Sequence, residues 1–174
     1  MDNSDEWEQR VAALWARYDD YDAEEFLARM DVLVAELPET SPVGPFERAS
    51  ALDSTGRERQ AVPLYRQALA TGLDGPRRRQ AVIQLSSSLR VLGQAQESVA
   101  LLRAERASGS DELDDAVSGF LALALADAGA EREAVSVALA ALGPHVPRYQ
   151  RALGSYARLL IEPDAEAKGQ DQPR

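Results

Sequence analysis

Gly56-Arg57-Glu58-Arg59-Gln60-Ala61-Val62-Pro63-Leu64-Tyr65-Arg66-Gln67-Ala68-Leu69 decides the fold, because the chain repeats this pattern twice more. Segments opening at Gly93 and Gly129 follow the same course, with the three glycines 37 and 36 residues apart. Five places after each glycine stands a small residue, Ala61, Ser98 or Ala134. Four places further stand Tyr65, Leu102 and Ala138, a helical i to i+4 stripe. A fixed period of this length marks a solenoid, in which a helix pair buries its apolar face only by stacking on the next pair. A weaker copy at the start puts Ala23 and Leu27 in these places and Tyr18-Asp19-Asp20-Tyr21 in the turn.

Working outward, each copy divides into two helices. First helices are expected over 5–17, 45–54, 76–92 and 113–128, and second helices over 23–37, 57–70, 95–107 and 131–142. A last amphipathic helix, 147–161, places Tyr149, Leu153, Tyr156 and Leu160 on one stripe and is expected to cover the end of the stack. Gly44-Pro45, Gly75-Pro76 and Val146-Pro147 set proline near helix starts, where its missing N–H costs nothing. Gly56, Gly93 and Gly129 fall where a helix ends and the chain needs a left-handed residue. Pro63 lies inside a second helix and is expected to kink it, since a straight helix there costs about 3 kcal/mol. The fold class is all-α, one repeat domain over 1–161 with units of about 5–37, 45–70, 76–107 and 111–142. Residues 162–174, with only alanine as apolar content, are expected to be a disordered tail.

Composition narrows the function. With 45% hydrophobic residues and no apolar run long enough to span a bilayer, the chain is expected to be soluble, without a leader, and cytoplasmic. It has no cysteine, so disulfides, thiolate metal ligands and thiol nucleophiles are excluded. The net charge of −10 is uneven: residues 1–40 hold 12 acids against 3 bases, residues 41–108 hold 6 against 10, and residues 109–174 hold 11 against 6. An acidic chain repels nucleic acid and anionic membranes, so neither is an expected partner. Arg77-Arg78-Arg79 is the local exception, at a helix start where the macrodipole disfavours cations; it is either offset by Asp74 and the acidic flanks or a basic patch. His145, the one histidine, lies in a Gly-Pro-His-Val-Pro turn, so no histidine metal site or two-histidine mechanism can be assembled. No nucleophile-elbow, phosphate-loop or dinucleotide motif is present, and an enzyme, a metal or a cofactor is not expected.

The pattern resembles the tetratricopeptide repeat family, and more closely its small bacterial group 5, over about residues 5–161. Trp7 takes the family's tryptophan place in the first unit. Its tyrosine place holds Leu14, Leu52, Leu89 and Leu125, its close-packing place Ala49, Ser86 and Ala122, and its second-helix aromatic place Tyr65. The repeat is two or three residues longer than the usual 34, which leaves the superhelical twist open. The resemblance implies a right-handed α-solenoid of four helix pairs plus a capping helix, whose first helices line a concave face that binds a protein or peptide.

Carried over by position, that face takes Glu8, Ala12, Trp15 and Ala16, then Phe46, Ser50, Asp53 and Ser54, then Gln80, Ile83, Ser87 and Arg90, then Gly119, Leu123, Ala126 and Asp127. The partner-binding candidates among these are Trp15, Phe46, Asp53, Gln80, Ile83, Ser87, Arg90, Leu123 and Asp127. Apolar anchors with sparse polar groups suit a peptide or helix. Each has an ordinary role too: Trp15, Phe46, Ile83 and Leu123 as core, Arg90 with Asp53 as a surface ion pair. The implied function is a non-enzymatic interaction module, monomer or homodimer. The alternatives are a self-association domain or an accessory sensing unit of a bacterial regulator.

Overall fold

The computed structural model describes residues 3–162, with side chains from Asp5 onward. Of the expected tail, all but Glu162 lies outside the described residues. The described chain is helical throughout: α1 (Asn3–Trp15), α2 (Ala23–Val34), α3 (Val43–Ser54), α4 (Glu58–Ala70), α5 (Gly75–Val91), α6 (Ala95–Ser108), α7 (Asp114–Asp127), α8 (Glu131–Leu142) and α9 (Gln150–Leu159). Each packs on its neighbour in sequence, and α5 also touches α3 and α7. This is an all-α solenoid of four helix pairs closed by a ninth helix.

The turns inside the second, third and fourth pairs share one construction. Gly56, Gly93 and Gly129 have φ of 75°, 79° and 78°, the left-handed region in which a Cβ is unfavourable. Around each, the next residue's N–H reaches back five places: Arg57 to Leu52 O (2.9 Å), Gln94 to Leu89 O (2.8 Å) and Ala130 to Leu125 O (2.8 Å). The glycine N–H closes the inner bond to Asp53, Arg90 or Ala126. These are Schellman caps, and they satisfy carbonyls that a helix end leaves orphaned. The leucines whose carbonyls they engage are the buried occupants of the tyrosine place. Gly72, with φ 93°, builds a fourth such cap at the end of α4, where Leu73 N bonds Ala68 O at 3.0 Å.

The first pair turns differently. Tyr18–Asp20 forms a single 3-10 turn, and Asp22 caps α2 by accepting a bond from Glu25 N at 2.8 Å. Aromatic rings fill the corner: the Phe26 centroid lies 4.9 Å from both Trp15 and Tyr18. The Tyr18 hydroxyl donates to Ser54 O, and Trp7 Nε1 donates to Leu33 O at 2.8 Å.

The buried apolar residues form two clusters that divide within α5. Trp7 to Leu73 join Leu85 and Leu89 in one; Ile83 joins α6, α7 and α8 in the other. Ala49, Ser86 and Ala122 are buried, as the close-packing place requires, and Tyr65 is wholly buried. Helix α4 runs without interruption through Pro63, which stands on its exposed side.

Two stripes differ from expectation. Ala138 is exposed, and α8 buries Ala134 and Val137 instead, because its adjoining face is taken by α9. There Ser136 Oγ donates to Ala157 O at 2.7 Å, and Arg132 Nε donates to Leu160 O at 3.1 Å. So close an approach needs a small residue, and Ala157 is the buried residue of α9. Leu153 and Leu160 are half-buried, whereas Tyr149 and Tyr156 point to solvent, so only part of the expected stripe covers the stack.

Candidate functional site

The four first helices, α1, α3, α5 and α7, border a cleft of about 870 Å³. It exists because α3, α5 and α7 pack side by side while the second helices lie behind them. Trp15, Phe46, Ile83 and Phe120 supply its apolar wall, and Ser50, Ser54, Gln80 and Gln84 its neutral polar groups. Ser50 Oγ bonds both Phe46 O (3.0 Å) and Gln84 Oε1 (3.2 Å), so α3 and α5 meet through a hydroxyl at the cleft floor.

Apart from the exposed Asp74, charge enters the cleft as one cluster. Glu47, only 4% exposed, accepts from Arg77 Nε at 2.9 Å and from Trp15 Nε1 at 3.3 Å. Arg77 also grips Glu8 with both terminal nitrogens, at 2.9 and 2.6 Å. Burial works against the Arg77 charge, but hydrogen bonds to Glu8 and Glu47 outweigh it and raise its pKa. Removing one partner of a buried pair strands the other's charge, which costs about 3–5 kcal/mol in fully buried cases. Arg77 is therefore committed to holding α1, α3 and α5 together.

Its neighbours are committed likewise. Arg78 bonds Glu105, which is 3% exposed, at 2.7 Å. Arg79 is buried and pairs with Asp111 at 2.9 Å and Asp114 at 2.7 Å. Asp114 is held below its usual carboxylate range by the Ser110 hydroxyl, the Asp111 N–H and then Arg79. The arginine run is thus spent on bracing five helices. The acids that offset it come from α1, α3, α6, α7 and the loop before α7, whereas the Asp74 side chain caps nothing.

Of the nine partner-binding candidates, Trp15, Phe46, Gln80 and Ile83 line this cleft. Trp15 is half-buried and also packs on Phe26 and Tyr18. The other five lie elsewhere. Asp53 faces between α4 and α5, accepting from Ser88 at 2.9 Å and from Tyr65 at 3.4 Å. Burial pushes the Asp53 carboxyl upward, and burial and then Asp53 push the Tyr65 phenol upward. Arg90 does not pair with Asp53; it reaches forward one unit to Asp127 at 2.8 Å. Ser87 is half-buried and Leu123 is exposed, both outside the cleft.

Glu47, Arg77, Gln84 and Phe120 were not among the nine. Glu47 and Arg77 follow Phe46 and Pro76 in sequence, but only the packing of α3 against α5 shows that they meet. His145 forms a 3-10 turn with Gly143 and Pro144, and its Nε2 lies 2.7 Å from Asp115 on the surface. Among the described residues, no group of three or more histidine or acidic side chains is placed to hold a metal ion.

Known proteins bear on this architecture in two ways. Two crystal structures of nearly identical TPR-like repeats, from a Podosopora anserina protein of kinesin light chain type, share the fold. One, a form with a single glutamine-to-methionine substitution, gives a TM-score of 0.69 at 20% identity, covering 92% of this chain and 88% of that one. The other gives 0.64 at 18%, covering 99% and 100%. No curated protein matches the sequence. The sequence profile described as Tetratrico peptide repeat matches residues 42–160, which takes in the three glycine-capped pairs and α9. With a stacked helix-pair fold, the repeating glycine caps and that profile match in agreement, the chain belongs to the tetratricopeptide repeat family.

Proposed function

We propose that this chain is a non-enzymatic interaction module that holds a peptide or a helix of a partner protein in the cleft bordered by α1, α3, α5 and α7. The observation that carries the reading is the cleft's lining. Rings and aliphatic side chains from four helices converge on it, its neutral polar groups are few, and three of its four charges, Glu8, Glu47 and Arg77, are paired with one another. Such a surface rewards burial of apolar side chains at about 25 cal/mol per Å² and leaves only the Asp74 carboxylate at its rim for an ionic contact. Repeats of this family serve as protein-interaction modules in general, which supports a protein or peptide as the occupant.

Ser54 and Gln80 line the cleft and are exposed, so Ser54→Arg and Gln80→Arg alter it without touching the core. A partner retained from native-cell extract by the wild type and lost by both variants supports the reading. Equal retention by all three overturns it.

A further inference from the structure

The last helix leaves an apolar face without a partner. Tyr156 is 63% exposed and Leu159 is 57% exposed, three residues apart and so on one side of α9; Tyr149 before them is 78% exposed. A terminal solenoid helix ordinarily turns a polar face outward. Here the charged residues near the strip share one sign: from Gly143 to Ile161 the chain holds Arg148, Arg151 and Arg158 and no acid.

The opposite end of the same chain carries the complement. On α2 and the Ala35 that caps its end, Ala28, Val32 and Ala35 are exposed at helical spacing, with Val32 at 65%. Glu24, Glu25 and Asp31 flank them, within a stretch of forty residues holding 12 acids against 3 bases. Their ion pairs with Arg57, Arg29 and Arg48 lie on the surface and leave each carboxylate side chain about half exposed or more.

We propose that α9 of one copy docks on α2 of a second copy, end to end. The strip of Tyr156 and Leu159 meets that of Ala28, Val32 and Ala35, and the arginines meet the carboxylates. Pairing α9 with α9 sets arginine against arginine, and an anionic membrane repels a chain of net charge −10; the charge pattern favours neither. Two different patches in contact form a heterologous interface, which propagates into chains or closes into rings and does not stop at two. The cleft stays open in such an assembly, so this inference stands apart from the cleft's function.

Sedimentation of the full chain over roughly a hundredfold range of concentration tests it. The expected result is a mass that rises with concentration and falls as salt is raised from about 0.05 to 0.5 M, which shortens the Debye length about threefold. Val32→Arg and Tyr156→Glu alter exposed residues outside the core, and each alone should give a monomer. Mixed, they should form a 1:1 pair that grows no further, because one copy keeps α9 intact and the other keeps α2 intact. Arg151→Glu with Arg158→Glu should also give a monomer. Three results overturn the proposal: a wild-type monomer at every concentration, association that survives Val32→Arg, or a mixture that stays monomeric. Loss of binding to phosphatidylglycerol vesicles in Tyr156→Glu, with no self-association in the wild type, assigns the face to a membrane and overturns the proposal.

Discussion

The first helix pair and the three that follow share a topology but not a means of turning. In the later pairs the backbone makes the corner: a left-handed glycine, a bond reaching back five residues and a buried leucine beneath. In the first pair, side chains make it: Phe26 wedged against Trp15 and Tyr18, with Asp22 capping the next helix. The difference teaches that a repeat is conserved as a packing requirement, and that bulky rings can supply the close corner that a glycine supplies elsewhere. It also shows where each corner is vulnerable, the one to losing volume and the others to gaining a Cβ.

The largest expected effect breaks the first corner. Phe26→Ala empties a fully buried site between two rings and should cost about 3–5 kcal/mol, read as a lower urea midpoint with loss of near-ultraviolet dichroism. Leu89→Ala, at a glycine corner, should cost about 2–5 kcal/mol, read as a lower urea midpoint. Gly93→Ala should cost about 1–2 kcal/mol. An added Cβ meets no atom within 4 Å there, so the whole effect is left-handed strain and the midpoint shift measures it directly. Asp22→Ala removes the side-chain cap of α2 and should cost about 1 kcal/mol.

The smallest effect is one of pH. Burial raises the Asp53 carboxyl in the folded state, so folding takes up a proton between the unfolded and folded pKa values. Stability contributed by this residue therefore falls as pH rises through that window. Asp53→Asn cannot titrate. The melting temperature of the wild type minus that of the variant should decline from about pH 4 to pH 7, and a rising difference contradicts the assignment.

How much of this was legible in the sequence follows the same division. The glycine corners were, because their geometry is local: φ, cap and leucine lie within five residues. The leucines of the tyrosine place and the small residues of the close-packing place lie where the repeat put them. The cleft was half legible. Trp15, Phe46, Gln80 and Ile83 are on the faces that the register assigns, but Asp53 and Arg90 looked like partners and are not. Their pairing depends on the rotation between successive units, which fixes whether an arginine reaches across or forward, and a repeat longer than the family's usual one left that rotation open. The role of Arg77 was invisible for the same reason, since Glu8 lies 69 residues away in sequence. The outward turn of Tyr156 was hidden because tyrosine suits either face of an amphipathic helix.

The grip of Arg77 on Glu8 joins the first unit to the third. A stack held only by adjacent contacts unravels from either end with equal ease, each unit answering to its neighbour alone. This tie removes one of those freedoms. Opening the first pair must also break a bond to the middle of the stack, whereas α9 rests on α8 and the short turn before it. Local opening should then begin at the C-terminal end, with amide exchange fastest in α9, slower in α8 and slowest in α3 and α5, a directional order imposed by one side chain on an otherwise repetitive chain.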